Sequence, residues 1–334
     1  MPLFPKCWAC KHGGAAALLF GLLAVPAVGH AVSCTTQSEM TPQDRDALAS
    51  AAQRAAQAVM QQDFTSLQAA LLPAVAPQWD GIRTVVEQGT PLLKGGQVQL
   101  RNLYLLDASS LAAPADTQFF CSNASGSLTV TISMRGLPAG RFAVVLADAV
   151  GSQSGAQMAF IFGSDANAWK IGGVFIRPGV LDGHDGIWFW QRARELDKSN
   201  SPWSAWFCYE AARYLLVPID FLSSPNLEKL GQEQAQIKSS PADAFPYSLA
   251  DGPRSWKIDS VHLDPALRQA DLAVTYESTG VSDPAAVRTE AITVLSALLK
   301  AQPALRETFH GLWAYAVRDG KTSPVMELPM AQIH

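Results

Sequence analysis

The segment Asp182-Gly183-His184-Asp185-Gly186 has the residue types best suited to chemistry in this sequence. Two carboxylates and an imidazole can bind a divalent cation or transfer protons, and the glycines let the chain turn sharply. Asp182, His184 and Asp185 are therefore the catalytic candidates. The same pattern is also typical of a structural turn in which Asp185 caps the following helix. We favour the structural interpretation, and the sequence predicts no metal site.

Four of the nine tryptophans, Trp188, Trp190, Trp203 and Trp206, form a second group of candidates. Their flat rings could line a groove for an apolar ligand or a sugar, so these four are the ligand-binding candidates. At helical spacing, however, such residues more often belong to a core. They lie within residues 181–218, a segment that predicts two helices joined by a turn.

This helical hairpin resembles one unit of a tetratricopeptide repeat in the spacing of its small and aromatic residues, which are Ala193, Ala205, Tyr209, Ala212 and Pro218. Stacked repeats need at least about three units, and no second copy follows in the sequence. We therefore interpret the segment as a single helix pair between two strand-rich halves.

The first 33 residues predict a signal peptide. Lys6 and Lys11 provide its positive charge, Ala15–Val25 is its apolar segment, and small residues follow. Two cleavages fit, one after Ala31 and one before Cys34, because residues 31–34 resemble a bacterial lipobox whose cysteine receives a lipid. Both predict an exported protein of the periplasm or cell envelope, and only lipidation at Cys34 would attach it to a membrane.

Three cysteines follow the targeting segment, namely Cys34, Cys121 and Cys208. If Cys34 carries a lipid, Cys121 and Cys208 could form a disulfide in an oxidising compartment. Both lie in aromatic runs, however, and that setting favours buried free thiols.

The pattern of apolar residues predicts an α+β fold. Helices are expected at 41–62, 65–72 and 77–90, and six strands with turns between them follow up to residue 176. We expect N-terminal helices packed on a curved antiparallel sheet over 40–178. A central helical hairpin and linker over 181–240 and a small C-terminal β-β-α-β-β domain over 254–331 complete the predicted organisation.

The N-terminal part resembles exported NTF2-like or cystatin-like domains. The resemblance rests on the run from Gln62 to Pro73 and on the last predicted strand, Trp169–Ile176. It implies helices lying across a strongly curved sheet. The chain departs from the NTF2 pattern because three helices precede every predicted strand. The whole chain also resembles exported proteins of acidobacterial type, which implies no particular activity.

Composition and motifs narrow the function classes. Charged residues make up 16% of the 334 residues, the net charge is −4, and no basic run occurs, so nucleic acid is not a predicted partner. Nucleophile elbows, phosphate loops and paired zinc-binding histidines are missing from the sequence, which predicts no cofactor. Each histidine beyond the targeting segment, at 184, 262, 310 and 334, stands alone in the sequence.

The expected function is therefore that of an exported cell-envelope protein that is not an enzyme and either binds an envelope protein or a small ligand or serves as an assembly module. The alternative is a hydrolase or isomerase with a site near residues 182–186. The oligomeric state stays open.

Overall fold

The computed structural model describes residues 32–265, 269–278 and 283–334. The predicted signal peptide lies outside these residues, except for its last two positions. The chain is α+β, as the sequence predicts, with antiparallel sheets and a C-terminal sheet of five strands. All described residues belong to one compact unit. None of the helices among them combines the length and apolar character that crossing a membrane requires.

The elements up to residue 177 are β1 (Ser33–Thr36), α1 (Pro42–Gln61), α2 (Phe64–Ala69), α3 (Trp79–Leu93), β2 (Gln97–Asp107), β3 (Ala115–Ser122), β4 (Leu128–Leu137), β5 (Arg141–Val150), β6 (Gln157–Asp165) and β7 (Ala168–Arg177). The later ones are β8 (Val180–Leu181), β9 (His184–Asp185), α4 (Gly186–Lys198), α5 (Pro202–Leu216), β10 (Leu222–Ser223), α6 (Pro225–Ala235), β11 (Tyr247–Asp251), β12 (Arg254–Asp264), β13 (Asp271–Glu277), α7 (Pro284–Ala301), β14 (Gly311–Arg318) and β15 (Lys321–Pro329).

The N-terminal part has two sheets where we expected one. Strands β1-β2-β5-β6-β7 form an antiparallel sheet in that order, while a second sheet has the order β10-β4-β3, in which the short β10 pairs with β4. Strand β1, which was not predicted, pairs with the end of β2. The alternation of polar and apolar residues shows which face of a strand is buried but not which strand it pairs with. The sequence therefore did not show that β3 and β4 belong to a separate sheet.

Strand β5 lies at the centre of a three-layer arrangement. Ala143, Val145 and Ala147 pack in the core that includes α1, α2 and α3. Val144 and Leu146 point to the opposite face and pack against β3 and β4. Since both faces are covered, the strand reads as a continuous apolar run rather than an alternating one.

The C-terminal sheet has the strand order β11-β12-β13-β14-β15. Its first strand is additional to the four that the sequence predicts. Only β13 and β14 are parallel, and α7 forms the connection between them. Side chains such as Leu272, Val274 and Leu312 point to one face and share a core with α7 and with the helical hairpin. The alternate residues, including Asp271 and Trp313, point to the other face.

The helical hairpin α4–α5 belongs to this C-terminal core. Phe207, Ala211 and Leu215 are buried in the same cluster as the inner face of the C-terminal sheet. Polar contacts connect the hairpin to the first sheet, because the Gln157 side chain donates to the Leu215 carbonyl at 2.7 Å and Arg177 donates to the Val217 carbonyl at 2.9 Å. The hairpin is thus part of the C-terminal apolar core and is hydrogen-bonded to the first N-terminal sheet.

Candidate metal centre

The three catalytic candidates from the sequence lie on an exposed turn. Asp182 and Gly183, with φ of 49° and 76°, form the two-residue loop between β8 and β9. Asp185 accepts a hydrogen bond from the Trp188 amide at 2.8 Å and so caps α4. The His184 ring stacks on the Trp188 ring with 3.7 Å between centroids. Asp185 and His184 therefore each have a structural partner, and among the described residues the three candidates do not form a metal-ligand cluster.

The four tryptophans pack within the hairpin and its surroundings. Trp203 is buried and meets the rings of Phe207, Phe245 and Tyr247 edge to face. Trp190 is also buried. The last two, Trp188 and Trp206, are partly buried against the same core. These positions give the tryptophans packing contacts, as the core interpretation expects.

Two of the three cysteines behave differently from the sequence-based expectation. Cys34 forms a disulfide with Cys121, so the pairing of Cys121 with Cys208 and the free thiol expected at Cys121 are both wrong. The missed strand β1 is the reason, because it places Cys34 beside β3. Cys208 is the buried free thiol that we expected, and burial raises its pKa to about 12. A lipid on Cys34 would need the sulfur that the disulfide uses, so the two forms exclude each other.

A cluster that the sequence analysis missed lies in the C-terminal sheet. One ligand atom each from Asp271, His310 and Glu327 lies within 4.8 Å of the others. His310 Nδ1 and Asp271 Oδ1 are 2.9 Å apart. The Asp271 side chain is fully buried, whereas that of His310 is 32% exposed and Glu327 is partly buried. The cluster is thus reachable from solvent on the side of His310 and Glu327.

The strand register explains why these residues meet. Asp271 is the first residue of β13 and lies opposite Gly311, the first residue of the parallel strand β14. His310 directly precedes Gly311. On the other side of β14, the antiparallel strand β15 places Glu327 opposite Trp313. Three adjacent strands therefore each bring one metal-ligating side chain to the same end of the sheet.

Gly311 leaves the space in which the two carboxylates converge. A Cβ atom at this position would lie 3.0 Å from Asp271 Oδ1 and 3.1 Å from Glu327 Oε1. Real Cβ atoms rarely have contacts this short. A larger residue would therefore displace the two carboxylates or the Leu328 carbonyl oxygen, which its Cβ atom would meet at 2.9 Å.

Neighbouring groups hold the ligands in place. Trp313 Nε1 donates to Asp271 Oδ2 at 3.4 Å, and the Gln269 side-chain amide lies 3.0 Å from His310 Nε2. The His310 amide donates to the Ala270 carbonyl at 3.0 Å. A contact such as that of Gln269, which is made to the ring nitrogen of a histidine that does not face the metal, usually orients the ring at metal sites.

The set of one imidazole and two carboxylates suits Zn²⁺ or another first-row divalent ion. Three protein ligands would leave one coordination position for water or a further ligand. The sequence contained a usable signal, because a strand-helix-strand unit makes its two strands parallel, and Asp271 and His310 lie at the starts of those strands.

No protein-family model, curated protein or solved structure matches this chain. The resemblances to NTF2-like or cystatin-like domains and to exported proteins of acidobacterial type therefore stay predictions.

Proposed function

We propose that this chain is an exported cell-envelope binding protein whose C-terminal sheet binds a divalent transition-metal ion through Asp271, His310 and Glu327. The observation that carries the proposal is the convergence of these three ligand atoms within 4.8 Å. In this function the three residues would hold the metal, and a coordination position that the protein does not fill would be available to a ligand or a partner.

Glu327 distinguishes this function from a purely structural cluster. A buried Asp–His pair alone is a common way to fasten two strands, and it accounts for Asp271 and His310. Glu327 has no hydrogen bond or ion pair with any residue that the structure describes, yet its carboxylate points at that of Asp271 across Gly311. A divalent cation at this position would give the Glu327 carboxylate a partner that it shares with Asp271.

Isothermal titration calorimetry with ZnCl₂, MnCl₂ and CaCl₂ tests the proposal. We expect wild-type protein to bind Zn²⁺ at one site and Ca²⁺ far more weakly, because the imidazole favours transition metals. His310→Ala and Glu327→Gln should each weaken Zn²⁺ binding by at least about 100-fold, since even supporting contacts at metal sites contribute 10- to 100-fold. The matched control is His262→Ala, which removes an exposed histidine from the neighbouring strand β12. Wild-type protein that takes up no Zn²⁺ would refute the function.

The disulfide between Cys34 and Cys121 supports the exported location, because disulfides persist mainly in oxidising compartments. Cell fractionation of the tagged full-length chain tests this part. We expect the protein in the periplasmic or membrane fraction, and its intact mass reports whether Cys34 carries a lipid or a disulfide. Recovery of the full-length chain in the cytoplasm with reduced cysteines would contradict export.

A metal-dependent hydrolase is the second candidate, and the open coordination position favours it. A Zn²⁺-bound water at such a position becomes a nucleophile near neutral pH. A panel of chromogenic ester and phosphate substrates, assayed with Zn²⁺, tests this function. Turnover that disappears in His310→Ala would favour the hydrolase over the binding protein.

A further inference from the structure

Asp182 connects the exposed β8–β9 turn to the C-terminal sheet. Its Oδ2 atom accepts a hydrogen bond from the Ala270 amide at 2.7 Å. Ala270 lies 88 residues away along the chain and is fully buried. Asp182 itself is exposed, and this hydrogen bond directs its carboxylate towards the sheet.

The backbone of Ala270 is connected to two of the three ligands of the candidate metal centre. Its carbonyl accepts the hydrogen bond from the His310 amide at 3.0 Å, and the next residue along the chain is Asp271. A shift of the residue 270 backbone would therefore move two ligands relative to each other. Metal sites tolerate such shifts poorly, because productive geometry is lost with displacements of about 0.5 Å.

The conformation of the β8–β9 turn and the contacts of the residues after it hold Asp182 in position. Asp182 and Gly183 both have positive φ, which suits a tight two-residue hairpin loop. Asp185 is fixed as the cap of α4 and His184 is stacked on Trp188, so the strand that leaves the turn is anchored at two points. Asp182 is the residue of this segment that reaches across to the C-terminal sheet.

We propose that Asp182 is a positioning residue of the Asp271–His310–Glu327 centre, acting through the backbone of Ala270. The inference rests on the proposed metal-binding function and adds a component to it. It also gives a role to the residue that the sequence marked as a candidate for chemistry. Asp182 is not one of the ligands; it holds the backbone of Ala270, which directly precedes Asp271 and accepts the hydrogen bond from the His310 amide.

Zn²⁺ titration of three full-length variants tests this role. Asp182→Ala should weaken Zn²⁺ binding by about 10-fold, the lower end of the range for supporting contacts. Asp182→Asn keeps an oxygen that can accept the Ala270 amide, so its affinity should stay within about threefold of wild type. Asp185→Ala removes a carboxylate from the same turn and the cap of α4. It should lower the thermal midpoint without changing Zn²⁺ affinity, and it therefore separates loss of stability from loss of positioning.

A measurement without metal separates this inference from the proposed function. In ¹⁵N NMR spectra of the metal-free protein, the ring nitrogens of His310 report its hydrogen bond to Asp271. Asp182→Ala should shift these resonances, and Asp182→Asn and Asp185→Ala should leave them near their wild-type positions. If Asp182→Ala leaves both the His310 resonances and the Zn²⁺ affinity unchanged, the positioning role is wrong even where wild-type protein binds Zn²⁺. If the resonances shift but wild-type protein binds no metal, the proposed function fails while the positioning of His310 and Asp271 stands.

Discussion

Gly311 lies beneath the two carboxylate oxygens of the candidate centre, and its substitution probes the space between them. In Gly311→Ala all three ligand side chains remain, but the new Cβ atom would lie 3.0 Å from Asp271 Oδ1 and 3.1 Å from Glu327 Oε1. We expect Zn²⁺ affinity, measured by calorimetry, to fall at least about 10-fold because the methyl group would enter the space between the two carboxylate oxygens.

The same substitution should also cost about 1–3 kcal/mol of stability, since the Cβ atom would lie 2.9 Å from the Leu328 carbonyl oxygen. Gly89→Ala is the matched control, because its Cβ atom would meet Ile176 at 2.5 Å in the N-terminal half. It should destabilise the protein and leave metal affinity unchanged. Normal Zn²⁺ binding by Gly311→Ala would contradict a metal at this position.

Glu210 makes the stability of the protein dependent on pH. It lies on α5 and accepts hydrogen bonds from the Leu263 amide at 3.2 Å and from Trp206 Nε1 at 3.2 Å. Burial nevertheless raises the pKa of its carboxyl group above the usual value, because desolvation outweighs these bonds. Because the pKa of Glu210 is raised in the folded state, its contribution to the free energy of unfolding is complete below the unfolded-state pKa of about 4.3. This contribution is lost as pH rises through the folded-state pKa.

Glu210→Gln removes this titration, so the unfolding free energy of the variant should rise relative to wild type as pH increases from about 4 towards 7. Urea unfolding at several pH values measures the difference. Glu307→Gln, at an exposed position, should give a profile parallel to that of wild type. Parallel profiles for Glu210→Gln and wild type would show that the burial of Glu210 has no effect on titration.

At the level of elements, one carboxylate connects α6 to the helical hairpin. Glu233 accepts two hydrogen bonds from Arg194, at 2.7 and 2.8 Å, and one from Trp190 Nε1 at 2.7 Å. The Arg194 guanidinium holds the pKa of Glu233 below its usual value. Tyr209 donates a longer bond of 3.3 Å to the same carboxylate. Helix α6 is short, and this contact fixes it against α4 and α5.

Glu233→Ala should lower the free energy of unfolding by about 2 kcal/mol, because buried donors lose a charged acceptor while the partly exposed Arg194 regains water. Urea unfolding measures the loss. Glu228→Ala changes an exposed glutamate of the same helix and should cost less than about 0.5 kcal/mol. Equal losses in the two variants would show that the Glu233 contacts contribute no more than an ordinary surface residue.

The elements differ in how far the sequence predicts them. Helix α1 was predicted within one residue at each end, since Thr41 and Pro42 mark its start by local chemistry. Strand β1 has four residues and too short a pattern to be recognised.

The cluster of Asp271, His310 and Glu327 depends on the register of three strands, which is set by tertiary packing. Asp271 and His310 are 39 positions apart, so no local spacing relates them; the parallel pairing of their two strands is the one sequence signal that does.

At the level of the whole molecule, the disulfide joins the two N-terminal sheets. Cys34 lies on β1 in the first sheet, and Cys121 lies on β3 in the second, 87 residues later. Cross-linking positions so far apart restricts the unfolded chain strongly, which typically stabilises a protein by about 2–4 kcal/mol. The disulfide therefore adds a covalent link to the apolar core in which β3 and β4 pack against β5.

Reduction with a phosphine should therefore lower the free energy of unfolding by about 3 kcal/mol, measured by urea unfolding with and without the reductant. The double variant Cys34→Ala/Cys121→Ala should match reduced wild type and be insensitive to the reductant. Cys208→Ala keeps the disulfide and should remain sensitive to it. If reductant leaves wild-type stability unchanged, the bond does not hold the sheets together. In that case lipidation of Cys34, which also removes the disulfide, would carry no stability cost from the missing bond.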